Sequence, residues 1–189
     1  MKFLDALLGR TTRVPPKLDA LFGLPAAALS LQAGLGLQPS GRAGVAFKPA
    51  SSGSFAAAGR ELRELLEISS AEFKTKLEEL DDSYGYHWVL LTDPDLDELV
   101  TAVHILNQTL EEKGYGAQLL CSMFAFKSSE GKALDLVYLY KRGTFYPFAP
   151  LGGERRDNEL ELQVRGALGS ELPVEPDLTR WFPLHGAPL

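Results

Sequence analysis

The sequence contains little cysteine, little basic charge and no long apolar run. Its single cysteine, Cys121, excludes a disulfide within the chain and predicts a reducing, cytoplasmic environment. Lys and Arg number 19 against 25 Asp and Glu, for a formal net charge of −6, which argues against a nucleic-acid-binding face. No window approaches the roughly 20 apolar residues that span a bilayer. The opening segment MKFLDALLGR lacks a signal-peptide core because Asp5 interrupts it.

Signatures of metal binding and catalysis are also scarce. None of the three histidines, His87, His104 and His185, has another His or Cys at ligand spacing. The segments GLG and GYG lack the third glycine of a dinucleotide-binding turn, and the chain has no GxxxxGK[ST] or G-x-S-x-G motif. A nucleophile pair of Cys121 with His104 is conceivable, but apolar neighbours raise the pKa of a thiol and make it inert. We therefore expect no cofactor, no metal and no catalytic residue.

Five aspartates cluster around one predicted strand and the helix that follows it. They could act as a carboxylate pair or bind calcium, but the EF-hand spacing is missing, and turn and capping roles explain them more simply. An unrecognised hydrolase built on these acids or on the Cys/His pair stays open as an alternative. So does a small-ligand sensor with an apolar cavity under the sheet. The five are Asp81, Asp82, Asp93, Asp95 and Asp97.

Apolar periodicity predicts both helices and strands. Helices are predicted over residues 25–33, 54–68, 94–113 and 158–168, and strands over 43–48, 73–80, 84–92, 118–127, 134–141 and 144–149. The alternation in Leu29-Ser30-Leu31-Gln32 leaves a strand possible within the first helix. Asp93 is placed to cap the third helix, and Asn158 with Glu161 forms a capping-box pattern at the start of the fourth. Sequential strands separated by helices predict an α+β fold with a single, mostly antiparallel sheet of about five to six strands packed by helices.

One domain is expected after a short leading segment. Residues 1–16 read as an apolar turn and a Pro-Pro linker, and residues 17–189 as a single α+β domain. The sequence LSLQAGLGLQPSGRAGVAFKPASSG resembles the later ILNQTLEEKGYGAQLLCSMFAFKSSEG. This weak repeat suggests two αβ halves, 17–92 and 93–189, that share one sheet.

The stretch LVYLYKRGTFYPFAP predicts an aromatic hairpin at the edge of the sheet. Strand alternation places Leu136, Tyr138 and Tyr140 on one face, with Val137 and Leu139 on the other. Two prolines in the second arm exclude a central strand. An edge strand with unpaired backbone groups can accept an added strand or a partner helix.

Three apolar groups are therefore candidate partner-binding surfaces. The alternative is that they pack on the protein itself or on a second copy of the chain. They are the amino-terminal turn (Phe3, Leu4, Leu7, Leu8), the edge hairpin (Phe145, Tyr146, Phe148) and the carboxy-terminal segment (Trp181, Phe182).

Seven segments, taken in order, resemble the PspA-associated protein PspAB family of bacteria over essentially the whole chain. They are FLDALLGR, PPKLDALFGLP, DSYGYHW, QLLCSMFAF, VYLYKRGTFYPFAP, RDNELELQVRGAL and DLTRWFPLHGAP. The resemblance implies an accessory protein of the phage-shock, envelope-stress response, associated with a PspA-type coiled coil or with an HtpX-like membrane protease. It supplies no catalytic or ligand residues.

Taken together, these observations predict a non-enzymatic adaptor that binds a protein partner or forms a homodimer. We expect it in the cytoplasm, with peripheral contact to the inner membrane through residues 1–10 as an option. The order of elements is also similar to type III secretion chaperone-like and YbjN-like folds, which bind other proteins, although fold analogy alone does not establish function.

Overall fold

The computed structural model describes residues 18–48, 75–82, 84–169 and 171–189. The predicted segment 1–16 and the predicted helix over 54–68 lie outside these residues. The described elements are a 3-10 helix at Leu18–Gly23, α1 (Leu24–Leu35), β1 (Leu37–Phe47), β2 (Lys76–Asp81), β3 (His87–Thr92), α2 (Leu96–Glu112), β4 (Leu119–Ser128), β5 (Ala133–Leu139), β6 (Thr144–Phe148), α3 (Asn158–Leu168) and a 3-10 turn at Leu178–Arg180.

The six strands form one open sheet in the order β2-β3-β1-β4-β5-β6, and every neighbouring pair is antiparallel. The predicted α+β class with a single antiparallel sheet is confirmed. Strands that precede residue 93 form one side of the sheet and later strands the other, and the two sides meet where β1 pairs with β4.

The two faces of the sheet carry separate apolar cores. Helices cover one face, where Leu136, Tyr138 and Tyr140 of the hairpin are buried. Val137 is buried in the core of the opposite face, and Leu139 packs against it. The predicted division of hairpin side chains between the two faces is therefore confirmed. We call the two cores the helix-side core and the second-face core.

Residues 171–189, here called the tail, help to cover the second face. Trp181 is buried in the second-face core, and its indole Nε1 donates to the Glu175 carbonyl at 3.0 Å. Tyr146 Oη donates to the Phe182 carbonyl at 2.9 Å. Arg42 Nη2 of β1 donates to the carbonyl of Pro188 at 3.0 Å. These bonds fix the tail to both the central and the edge strands.

Both helix caps lie beside the predicted positions. The side chain of Asp95, not Asp93, caps α2 by accepting from the backbone N–H groups of the first turn. Asp157, not Asn158, caps α3 and accepts from the N–H of Leu160 at 3.0 Å. The capping box predicted for Glu161 is wrong, because its buried carboxylate accepts from the Ala149 N–H at 2.9 Å and from the Arg156 guanidinium at 2.8 Å.

Strand β1 begins six residues before the predicted start at Ala43, because a register shift relative to β4 lets the strand continue through Pro39. At this irregularity Gly41 has φ +73°, and a Cβ there would lie 2.8 Å from the carbonyl oxygen of Asp93. The Gly41 carbonyl in turn accepts from the Asp93 N–H at 3.0 Å. Only glycine allows both the positive φ and this close approach.

One segment of the described residues, Leu18–Leu35, has the length and apolar composition to cross a membrane. This differs from the sequence-based expectation, because Asp19 is the single charged residue in that window. Core helices of soluble proteins meet the same criterion. In the fold, Leu21, Leu24 and Leu31 of this segment are fully buried in the helix-side core.

Candidate binding sites

The predicted hairpin surface is buried. Phe145, Tyr146 and Phe148 are at most 1% exposed, and Trp181 is 5% exposed. As side chains they therefore belong to the protein's own cores, and the expectation that they face a partner is not met in the folded chain. Phe182, at 56% exposed, is accessible. Phe145 is buried in the helix-side core, and Tyr146, Phe148 and Trp181 are buried together in the second-face core.

The backbone edge of β6 is also partly occupied. β6 is an edge strand, as predicted, but the tail forms a parallel bridge to it between Phe145 and Val174. The Phe145 N–H donates to the Pro173 carbonyl at 2.8 Å, and the Phe145 carbonyl accepts from the Glu175 N–H at 2.7 Å. At Phe145 the groups that a partner strand would use are thus already paired.

A buried carboxylate anchors this bridge. The Glu175 side chain is inaccessible to solvent, and its Oε2 accepts from Arg142 Nε at 2.5 Å and from Thr144 Oγ1 at 2.9 Å. Its Oε1 accepts from the N–H of Asp177 at 3.2 Å and lies 3.6 Å from Arg180 Nη1. Burial raises the pKa of Glu175, but the bonds from Arg142, Thr144 and the Asp177 amide outweigh it, and the pKa lies below its usual 4.5.

The four predicted docking residues of the amino terminus lie outside the described residues. An apolar surface that the sequence did not single out is present on α1. Leu29 is 69% exposed there, and Ala26 and Ala33, three residues before and four after it, are exposed on the same face. Phe22, in the preceding 3-10 helix, is 51% exposed. We call these four residues the α1 outer face.

The conceived nucleophile pair does not form. Cys121 lies in the second-face core, whereas His104 is on α2, which packs on the other face of the sheet, and its ring contacts Phe22 at 4.8 Å. Burial raises the pKa of the Cys121 thiol to about 12. The thiol is therefore protonated at neutral pH, which is the opposite of an activated nucleophile.

Three of the five clustered aspartates, Asp82, Asp93 and Asp95, have the turn and cap roles that we expected. Asp95 caps α2, and Asp93 accepts from the Asp95 N–H at 2.9 Å and from Thr75 Oγ1 at 2.8 Å. Asp81 Oδ1 lies 2.7 Å from His87 Nδ1. In the described part of the chain, no group of three or more His, Cys, Asp or Glu side chains is placed to hold a metal ion.

A polar chain crosses the helix-side core. Asn107 Nδ2 donates to Ser122 Oγ at 3.3 Å, and Ser122 Oγ is 2.5 Å from Tyr140 Oη. Burial raises the pKa of Tyr140 well above 10, against the opposing bond to Ser122. Burial likewise raises the pKa of Tyr138 to about 12, and that of Tyr146 further. These three buried tyrosines therefore act as structural groups.

An open cleft of about 570 Å³ lies between the β2–β3 turn, the tail and the loop before α3. This volume falls within the range of about 300–1,000 Å³ that is typical of ligand sites. Three aromatic residues of one short segment line it, together with two carboxylates and a histidine. They are Tyr84, Tyr86, Trp88, Asp82, Glu154 and His185.

Asp82 forms hydrogen bonds with three of the residues that line this cleft. Its Oδ1 accepts from the N–H groups of Tyr84 and Tyr86 at 2.8 and 2.9 Å, and its Oδ2 accepts from Trp88 Nε1 at 2.9 Å. Burial raises the pKa of Asp82, but the hydrogen bond from Trp88 and those from the turn amides outweigh it, so the pKa lies below 3.8. The carboxylate is therefore ionised at neutral pH and is bonded to Tyr84, Tyr86 and Trp88 at once.

Comparison with known protein families identifies the family of the chain, which the geometry alone does not. The family model described as PspA associated protein B matches residues 1–189, the whole chain. The chain belongs to the PspAB family. This membership confirms the resemblance carried by the seven sequence segments and points to a PspA-related accessory role.

Neither the curated proteins nor the solved structures that were compared contain a significant match to the chain. The similarity to type III secretion chaperone-like and YbjN-like folds therefore stays a prediction. For this PspAB family member, the described surface offers two candidate sites, the α1 outer face and the aromatic cleft. The DSYGYHW segment was a signal for the cleft, because two tyrosines flank a turn glycine in it. Glu154 and His185 come from distant parts of the chain and gave no local signal.

Proposed function

We propose that the protein is a non-enzymatic, cytoplasmic accessory protein of the bacterial envelope-stress response that binds a PspA-type coiled coil. The observation that carries this proposal is the family match over the whole chain. Contact with the inner membrane is then indirect, through the partner, or direct through residues 1–10.

The α1 outer face supports the proposal because it suits a helical partner. A helix that is apolar on both sides is normally covered on both sides. The inner side of α1 is buried in the helix-side core, while Leu29 is 69% exposed and Phe22 51%. The apolar stripe of an amphipathic helix can pack against such a face through interdigitating ridges. We therefore place the partner on α1, with Phe182 and the amino-terminal turn as further predicted contacts.

The test is co-elution of the purified protein with the PspA-type coiled-coil protein of its own organism, with multi-angle light scattering to give the stoichiometry. Leu29→Glu is the key variant because it puts a charge at the centre of the face. Burying a leucine contributes about 1.5–3 kcal/mol, so we expect the affinity to fall at least tenfold. Leu162→Glu is the matched control, since Leu162 is 50% exposed on α3.

A complex that survives Leu29→Glu but is lost on removal of residues 1–10 would place the contact at the amino terminus instead. No complex with any form would contradict the proposed partner and leave the HtpX-like protease as the next candidate. The scattering mass of the protein alone tests the homodimer.

A further inference from the structure

The aromatic cleft has a chemistry of its own, separate from the apolar α1 outer face. Its two carboxylates, Asp82 and Glu154, come from different parts of the chain. Among the described residues that line it, there is no lysine or arginine to neutralise them. The two carboxylates therefore give the cleft an acidic lining. An anionic ligand such as a phosphate is therefore disfavoured, and a cation is favoured.

Aromatic side chains lie beside these charges. Tyr84 and Tyr86 are 74% and 38% exposed, so most of Tyr84 is available to a ligand. Trp88 is buried to 3% exposure and contributes a fixed wall. A cation held near such rings gains from the ring quadrupole as well as from the carboxylates.

Asp82 is pre-organised for this role. Three hydrogen bonds from Tyr84 N, Tyr86 N and Trp88 Nε1 fix the carboxylate. The backbone amide of Gly85 also favours the ionised form, so the carboxylate stays charged and attracts a cation while its own position is fixed. The turn closes on itself as well, because the Asp82 N–H donates to the Tyr86 carbonyl at 2.9 Å. Little ordering is therefore needed when a ligand binds, which favours affinity.

We propose that this cleft binds the side chain of an arginine carried by a partner protein. A planar guanidinium stacks on aromatic rings and donates to carboxylates at the same time, and an ammonium group does this less well. The net charge of −6 also attracts a basic segment of a partner. The proposal does not require that the partner be a PspA-type protein.

The test is a ¹H–¹⁵N NMR titration of the full chain with an acetylated and amidated peptide, GSGRGSG. A second peptide with citrulline in place of arginine has the same shape without the charge. We expect saturable shifts of the Trp88 indole N–H and of the amides of Tyr84 and Tyr86. The citrulline peptide should bind at least about fivefold more weakly, since charge-assisted hydrogen bonds are about twice as strong as neutral ones.

Two variants locate the site without disturbing the fold, because both residues are exposed. Tyr84→Ala should weaken binding of the arginine peptide about two- to fivefold, and Glu154→Gln by up to about fivefold. Glu130→Gln is the matched control. Glu130 is an exposed acid in the β4–β5 turn, at the opposite end of the sheet, and its loss should leave binding unchanged.

Equal binding of the two peptides would overturn the proposal, because the charge would not be recognised. Unchanged affinity in both Tyr84→Ala and Glu154→Gln would overturn it as well. A third arm uses free L-arginine. If free arginine binds and the peptide does not, the cleft takes a small cationic metabolite, and the proposal of a protein-borne arginine is wrong.

Discussion

Replacing Glu175 by glutamine tests whether one buried carboxylate holds the tail on the edge of the sheet. The substitution keeps the size of the side chain and removes its charge. One carboxylate oxygen becomes an NH₂ group, which faces either Arg142 and Thr144 or the Asp177 amide and Arg180. In both orientations a donor meets donors.

The expected loss follows from the bonds that disappear. If the NH₂ group takes the place of Oε2, the charge-assisted bond from Arg142 is lost, and the charge-assisted bond from Thr144 is replaced by a weaker neutral one in which the hydroxyl accepts. Arg142 is 41% exposed, so solvent can rehydrate its guanidinium and the low end of the usual range applies. About 1.5 kcal/mol for the first bond and about 1 kcal/mol for the second give a loss of about 2–3 kcal/mol.

The assay is urea unfolding at pH 7 followed by tryptophan fluorescence, because the indole of Trp181 donates to the Glu175 carbonyl. Glu159→Gln, in an exposed acid of α3, is the control and should change the free energy of unfolding by less than about 0.5 kcal/mol. The hydrogen bonds hold the folded-state pKa of Glu175 below 4.5. The difference between wild type and Glu175→Gln should therefore be constant above that pH and shrink as pH falls through the folded-state pKa. A loss below 0.5 kcal/mol, or a difference that does not change down to pH 3, would refute the clamp.

Three further predictions concern the two cores and the irregularity in β1. Because burial raises their pKa values, the three buried tyrosines should stay protonated in the folded protein at pH 11. At 295 nm, where ionised tyrosine absorbs, the folded protein should then show three fewer ionised tyrosines than the urea-unfolded protein at the same pH. The free energy of unfolding should decline as the pH rises above 10. Cys121, whose pKa burial raises to about 12, should react with a disulfide reagent at least about 100-fold more slowly in the folded than in the unfolded protein; equal rates would contradict its burial. Gly41→Ala should lower the free energy of unfolding by about 1–3 kcal/mol because of its φ of +73° and the nearby Asp93 carbonyl. Gly166→Ala in α3, where nothing obstructs a Cβ, should raise it by up to about 1 kcal/mol; a loss at Gly166 equal to that at Gly41 would show that the fold does not distinguish the two sites.

Strand alternation and helical periodicity were sufficient to predict the six strands and a mostly antiparallel sheet, but not the order of the strands. In β5, Leu136 and Tyr138 point to one core and Val137 to the other, because a pleated strand offers no other arrangement. The caps of α2 and α3 were predicted at the wrong residues, since more than one Asp or Asn stands near the start of each of these two helices. Their competition is decided by tertiary contacts, such as that between Asp93 and Thr75, which the local sequence does not contain.

The candidate surfaces were the least predictable part. The aromatic residues of β6 were expected to meet a partner, yet a strand's own sequence cannot say what covers its outer face. Here the tail covers Tyr146, and its ring stacks with that of Trp181 at 6.3 Å. Leu29 is the opposite case. The sequence pattern of α1 predicts a helix there, but it does not show that the side of the helix that carries Leu29 is left exposed.

The tail is the last part of the chain to be synthesised, although it covers strands that are made earlier. Arg42 and Pro188, which meet in the folded protein, are 146 residues apart. At translation rates of 5–20 residues per second, roughly 7–30 s separate their appearance at the ribosome. Met123, Val137 and Tyr146 are made late in this interval, and from then until the tail emerges they lack the cover that it later provides. The nascent chain therefore carries an apolar sheet face that has to be kept from aggregation until its last segment arrives.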